Sequence, residues 1–281
     1  MTDTIARAGI VMDLRALGLK SGDELVVHSS LSSLGRVEGG AETVVDALLE
    51  VVGDKGTIVA PTFTSGVVES EPFDPETTAS QTGAVTEALR TRADAVRSEH
   101  PTHSVAAIGP AAETLTANHA YDRSLGRNSP LHRLARRDGQ ILLLGVDHDR
   151  NSSIHVAEAL ASLAYRTGTK EVLVSGDDGT ATTVEVSRVG CGRGFPVLEP
   201  VAEQSGLLTH GKVGEADAQL MDGEDILRVA YGLVKKKPGA LLCDDPDCWW
   251  CPEARQILES ASESENENEN ETENELESGR E

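Results

Sequence analysis

The chain has 281 residues, with 25 Lys and Arg against 47 Asp and Glu and a formal net charge of -22 at pH 7. Such a charge repels nucleic-acid phosphate and anionic membranes, and it suits a polycationic substrate or a salt-rich cytosol. There is no 18-residue apolar run, no signal-peptide pattern in MTDTIARAG and no secreted disulfide framework in four cysteines, so the expected setting is cytoplasmic.

Residues 5–19 read as an amphipathic helix with Ile10, Leu14 and Leu17 on one side. Residues 24–28 form a short strand that ends in His28-Ser29-Ser30-Leu31. Gly39-Gly40 opens a helix over 41–52, and a second strand over 57–60 ends in Pro61-Thr62-Phe63-Thr64. This is a βαβ unit, whose right-handed crossover puts both strand ends on one edge. Small hydroxyl residues there leave backbone N–H groups open to an anion, or they are ordinary loop chemistry. Residues 69–81 form a polar loop in position to cover a site. A helix over 83–92, a strand over 105–108 and a helix over 111–117 follow. Pro130 stands at the first position of a short helix over 131–137.

Ile141 to Leu144 is an apolar run typical of a strand buried on both faces, and Gly145 ends it. A polar loop, Asp147-His148-Asp149-Arg150-Asn151, leads into a helix that Ser152 or Ser153 is suited to cap. Val156, Leu160 and Leu163 form its apolar stripe. His155 and Glu158, at i and i+3, project side by side on a neighbouring face. Open α/β sheets place ligand sites where a strand end meets a helix start. A His–carboxylate pair there abstracts a proton near neutral pH; otherwise it is a surface ion pair.

After Thr167 the pattern changes. Residues 171–174 and 182–189 alternate around Gly176-Asp177-Asp178-Gly179, a hairpin signal. Helices are expected over 198–206 and 223–235. From Glu259 onward the chain carries ten glutamates and one arginine without apolar periodicity. The expected fold is thus α/β, three-layer α/β/α with a mixed central sheet and a small antiparallel annex. One domain spans 1–258, and an acidic disordered tail spans 259–281. The acidic body and the scarcity of lysine relative to arginine suggest salt adaptation.

Other constellations weigh less. His100 and His103 stand beside Ser98 and Ser104, but no Gly-x-Ser-x-Gly elbow exists. His100, His103, His148, Asp147 and His155 would suit a metal-dependent amidohydrolase, yet none is spaced as a zincin pair, and no catalytic metal is assigned. Cys243-x4-Cys248-x2-Cys251 is part of a zinc pattern whose fourth ligand would be Cys191 or His210. The preferred reading is plain reduced thiols, not needed for turnover. Walker and dinucleotide glycine patterns are absent.

Five stretches together carry a resemblance. They are VVHSSLSSLG (26–35), TIVAPTFT (57–64), PFDPETTASQTGAVTEALR (72–90), RSEHPTHSVAAIGP (97–110) and GRNSPLHRLARRDGQILLLGVDHDRNSSIHVAEA (126–159). In this order the chain resembles the aminoglycoside 3-N-acetyltransferase family, the antibiotic N-acetyltransferase fold distinct from GNAT. The resemblance implies direct acetyl transfer from acetyl-CoA to an amine of an aminoglycoside-like polycation. His155 would be the general base, with Glu158, Asp147 or Asp149 orienting it. His28, Ser29, Ser30 and Leu31 would meet the cofactor, partly through backbone N–H groups. Thr62, Thr64, Ser104 and Val105 would line the same cleft. Asp74, Asp122, Asp147 and Asp149 would hold the cationic acceptor. The alternatives are acylation of another small amine or metal-dependent amide hydrolysis. No nucleic acid or membrane partner is expected, and a homodimer is left open.

Overall fold

The computed structural model describes residues 4–65, 70–176 and 178–263. In chain order the elements are α1 (Arg7–Leu17), β1 (Glu24–Ser29), α2 (Ala41–Val52), β2 (Thr57–Pro61), α3 (Ala84–Arg90), β3 (Val96–Arg97) and β4 (Val105–Ile108). Then come α4 (Ala112–Thr116), α5 (Pro130–Ala135), β5 (Gln140–Leu144), α6 (Ile154–Leu160), β6 (Thr169–Ser175) and β7 (Ala181–Ser187). The last are α7 (Glu199–Gln204), β8 (Thr209–Val213), β9 (Ala216–Asp222) and α8 (Gly223–Lys236). A further helix covers 251–263.

Among the described residues, seven strands form one mixed sheet in the order β3-β4-β2-β1-β5-β9-β8. The centre is parallel: β1 pairs with β2 on one side and with β5 on the other. Antiparallel β4 and β9 flank this trio. Strand alternation divides the core into two layers. Leu25, Val27, Ile58, Leu142 and Leu144 pack with α1, α2 and α3 on one face. Val26, Val59, Ile141 and Leu143 pack with α4, α5, α6 and α8 on the other. Each layer buries a row of Leu, Val and Ile, so the near absence of aromatic residues costs the core little.

Four details differ from the sequence reading. Helix α1 starts at Arg7, because Ile5 is in extended conformation and bridges to Val37. Neither Ser152 nor Ser153 caps α6; the Asn151 carboxamide oxygen accepts the Ser153 N–H at 3.3 Å instead. Strands β8 and β9 have no counterpart in the sequence reading, and they widen the main sheet rather than the annex. The annex is the β6–β7 hairpin, tied to the body by a bridge between Phe73 and Val174. The helix over 251–263 runs past the expected boundary at Leu258, and the acidic stretch from 264 lies outside the described residues, as do Glu69 and Asp177.

Candidate active site

The parallel pairing brings the ends of β1 and β5 to one edge of the sheet, where a cleft of about 820 Å³ opens. Its wall is made by His28–Ser32 at the end of β1, Gln81–Ala84 at the start of α3, Gly145–Asp147 after β5, His155 of α6 and the 189–195 segment. Gly145 turns the chain sharply at φ +68°, and a Cβ there would lie 2.4 Å from that of Ser33. Only glycine lets the two strand-end loops close on each other.

At the base of the cleft His155 Nδ1 lies 2.6 Å from Glu158 Oε2, and Tyr165 donates its hydroxyl to Glu158 Oε1 at 2.8 Å. All three residues are buried, yet His155 also faces the cleft. Accepting at the carboxylate keeps the proton on Nδ1, which leaves the Nε2 lone pair free. Burial lowers the His155 pKa below its ordinary 6.5, against the opposing pull of Glu158, so the imidazole is neutral at pH 7. The edge of the Phe195 ring meets this imidazole, with centroids 4.6 Å apart.

Two more imidazoles line the cleft. His103 Nδ1 is 2.8 Å from the Thr102 hydroxyl, and its ring meets the edge of Phe63. His28 is pushed down to about 3, first by burial and then by His148, and its Nε2 is buried without a protein partner. The cleft therefore holds three neutral imidazoles and, at its mouth, the carboxylates of Asp147 and Asp149.

A family model for aminoglycoside 3-N-acetyltransferase matches residues 26–235, from β1 into the last turns of α8. The chain belongs to that family. Aminoglycoside N(3)-acetyltransferase IX of Micromonospora chalcea is 33% identical over 267 residues, which covers 83% of this chain and 94% of the relative. The crystal structure of a histidine-to-alanine mutant of aminoglycoside acetyltransferase AAC(3)-IVa in complex with a gentamicin is 32% identical. It aligns with a TM-score of 0.83 over 92% of this chain and 99% of its own. AAC-IIIb in a binary complex with CoASH is 28% identical and aligns with a TM-score of 0.78 over 84% and 98%. The family consists of enzymes, and its acetyltransferases take acetyl-CoA as co-substrate.

Within this acetyltransferase fold His155, Glu158, His28, Ser29, Ser30, Leu31, Asp147 and Asp149 gather at the cleft, Glu158 behind His155. The Ser30 N–H is already taken by the Leu144 carbonyl at 2.9 Å, so that donor is not free for a ligand.

Thr62, Ser104 and Val105 stand at the same sheet edge but behind the cleft wall, fully buried. The Thr62 and Ser104 hydroxyls lie 3.0 Å apart and both accept from Arg97 Nε. Thr64 is likewise buried and donates to the Pro101 carbonyl. Asp74 does not reach the cleft; its carboxylate accepts from the Glu76 N–H at 2.7 Å and shapes a turn. Asp122 is exposed and pairs with Arg123. Thr64, Ser104 and Asp74 serve backbone groups first, whereas Thr62 and Asp122 are engaged by side chains and Val105 packs within β4.

Three residues of the site escape the sequence reading. Tyr165 lies beyond the end of α6, past a turn at Ser162 with φ +56°, so helical spacing from Glu158 gives no signal for it. Phe195 gives no signal, because it arrives from a distant loop. Arg97 opens one of the five stretches without a pattern of its own, yet it donates to the carbonyls of Thr62, Pro75 and Thr78 and fixes the 70–82 loop against the sheet.

Proposed function

We propose that this protein moves the acetyl group of acetyl-CoA to an amine of an aminoglycoside-like polycation by direct transfer, with His155 as general base. The observation that carries this reading is the Tyr165–Glu158–His155 relay, buried except where the imidazole opens on the cleft. An ammonium has no lone pair, so the acceptor must lose a proton to become a nucleophile. His155 Nε2 takes it, and the Nδ1 proton held by Glu158 stabilises the imidazolium that forms. The amine nitrogen then bonds to the thioester carbonyl carbon, the carbon–sulfur bond breaks, and CoA leaves as the thiolate or thiol.

Asp147 favours a cationic acceptor by charge, whereas Asp149 is already paired with Arg150 at 3.3 Å, and the loops at Ser29–Ser32 and Thr82–Ala84 are proposed to seat the pantetheine arm. None of the four cysteines lines the cleft, which favours direct transfer over an acyl-enzyme. Amide hydrolysis at a catalytic metal is the weaker reading. Among the described residues His100, His103, His148, Asp147 and His155 do not converge as a metal-binding group.

The test is thiol release from acetyl-CoA with gentamicin and a panel of simpler amines. His155→Ala should lower kcat by roughly 10²–10⁴-fold, the usual worth of a positioned base, and leave acetyl-CoA affinity nearly unchanged. Raising the pH should restore part of the rate. Near-wild-type turnover would move the base elsewhere, with His103 next to test.

A further inference from the structure

We propose that Cys191, Cys243, Cys248 and Cys251 form a tetrathiolate zinc site that braces the wall of the cleft. Their four sulfur atoms lie within 4.8 Å of one another, and all four residues are buried. Four thiolates around a tetrahedral zinc at about 2.3 Å stand about 3.8 Å apart, so the cluster needs only a slight contraction to close on an ion. The sequence pattern offered Cys191 or His210 as the fourth ligand. The fold selects Cys191, because His210 is half-exposed on β8 and pairs with Glu203.

The surroundings suit thiolates. The Arg193 N–H points at Cys191 Sγ at 3.3 Å and the Cys243 N–H at Cys251 Sγ at 3.4 Å, the backbone donors that commonly support ligating sulfurs. Four uncoordinated thiols crowded in an apolar core would have no partner of comparable strength, whereas a soft, closed S4 set matches zinc. Acetyl transfer moves no electrons, so a redox-silent ion fits better than iron.

The position of the cluster gives it a function. Cys191 lies between Gly190 and Phe195, both of which line the cleft, and Phe195 touches the His155 ring. The other three cysteines come from the segment after α8 and the start of the helix over 251–263. A Cβ on Gly194 would lie 2.3 Å from the Leu241 carbonyl oxygen, which shows how tightly the two segments meet. Between Cys248 and Cys251, the Trp250 ring stands edge-on to Tyr165 at 6.5 Å, behind the residue that holds Glu158. The ion would thus tie the C-terminal segment to both the cleft wall and the back of the relay. It would be remote from the reacting atoms.

The test is metal content of the full-length chain, produced in metal-replete medium without a histidine tag. The chain is then reduced, given zinc and desalted. About one zinc per chain is expected, released in step as a mercurial titrates the thiols. Cobalt in place of zinc should give the intense visible bands of a tetrahedral tetrathiolate. Cys191→Ser and Cys248→Ser should each lose most of the bound zinc. Metal-free protein after desalting, iron in place of zinc, paired disulfides, or full zinc retention in Cys191→Ser would each overturn the proposal. The titration uses the native chain, so it stands even where a variant fails to fold.

Discussion

Glu158 has two carboxylate oxygens, and each has one partner: Oε2 meets His155 and Oε1 meets Tyr165. The phenol draws negative charge away from the imidazole side. Tyr165→Phe should therefore raise the His155 pKa and move the acid limb of kcat/KM to higher pH. It should also cost about 1–3 kcal/mol of stability, since a buried carboxylate oxygen loses its donor. An unshifted acid limb would show that the phenol only packs. Glu158→Gln should be milder in rate than His155→Ala, because it removes an orienting charge and leaves the imidazole, and steady-state kinetics against pH would rank the two. At this scale the sequence is legible where the chemistry is local. The i, i+3 spacing of His155 and Glu158 is a property of one helix. The Phe195 contact is set by how two distant segments pack, and no local pattern encodes it.

Arg97 is the element-scale counterpart. Its guanidinium joins β3 to the ends of β2 and β4 and to the 70–82 loop, and it lies over the Phe73 ring at 5.0 Å. Burial lowers its pKa to about 10, which still leaves it charged at neutral pH. Arg97→Ala should strand several buried carbonyls, cost about 2 kcal/mol or more and lower the unfolding midpoint by roughly 4–8 °C. It should also raise KM, because the Gln81–Ala84 wall depends on that loop, whereas an unchanged midpoint and KM would count against the staple. The strands built from apolar runs are legible, as with Ile141–Leu144. Strands β8 and β9 are not, because Thr209, His210, Lys212, Asp217 and Gln219 give them a polar look. They lie toward one side of the sheet, where one-sided burial suffices.

For the whole molecule, six buried imidazoles decide the acid response: His28, His100, His103, His119, His148 and His155. Burial holds each below its ordinary pKa, with His119 near 4 and His28 near 3. The unfolded chain binds protons from about pH 6.5 downward that the folded chain refuses. Stability from these groups is therefore complete above pH 6.5 and declines as the pH falls toward 4. Urea midpoints at pH 7.5 and 5.5 should show this fall, and equal midpoints would contradict it. Salt should act in the opposite sense. The acidic surface repels itself, and a Debye length of about 3 Å at 1 M screens it, so the melting temperature should rise with salt. A flat or falling curve would remove salt adaptation from consideration.

The meeting of the 189–195 segment with residues 241–251 has a consequence during synthesis. The sheet's parallel core is finished once β5 has emerged, and domains begin to fold from the N-terminal side as the chain is made. The wall that carries Phe195, however, rests on Leu241 and on the segment around Trp250, which the ribosome delivers about fifty residues later. A nascent chain can thus hold its scaffold while the cleft is still missing one wall. Competence arrives late and as a single event, so a prematurely terminated chain should be folded in part yet inert.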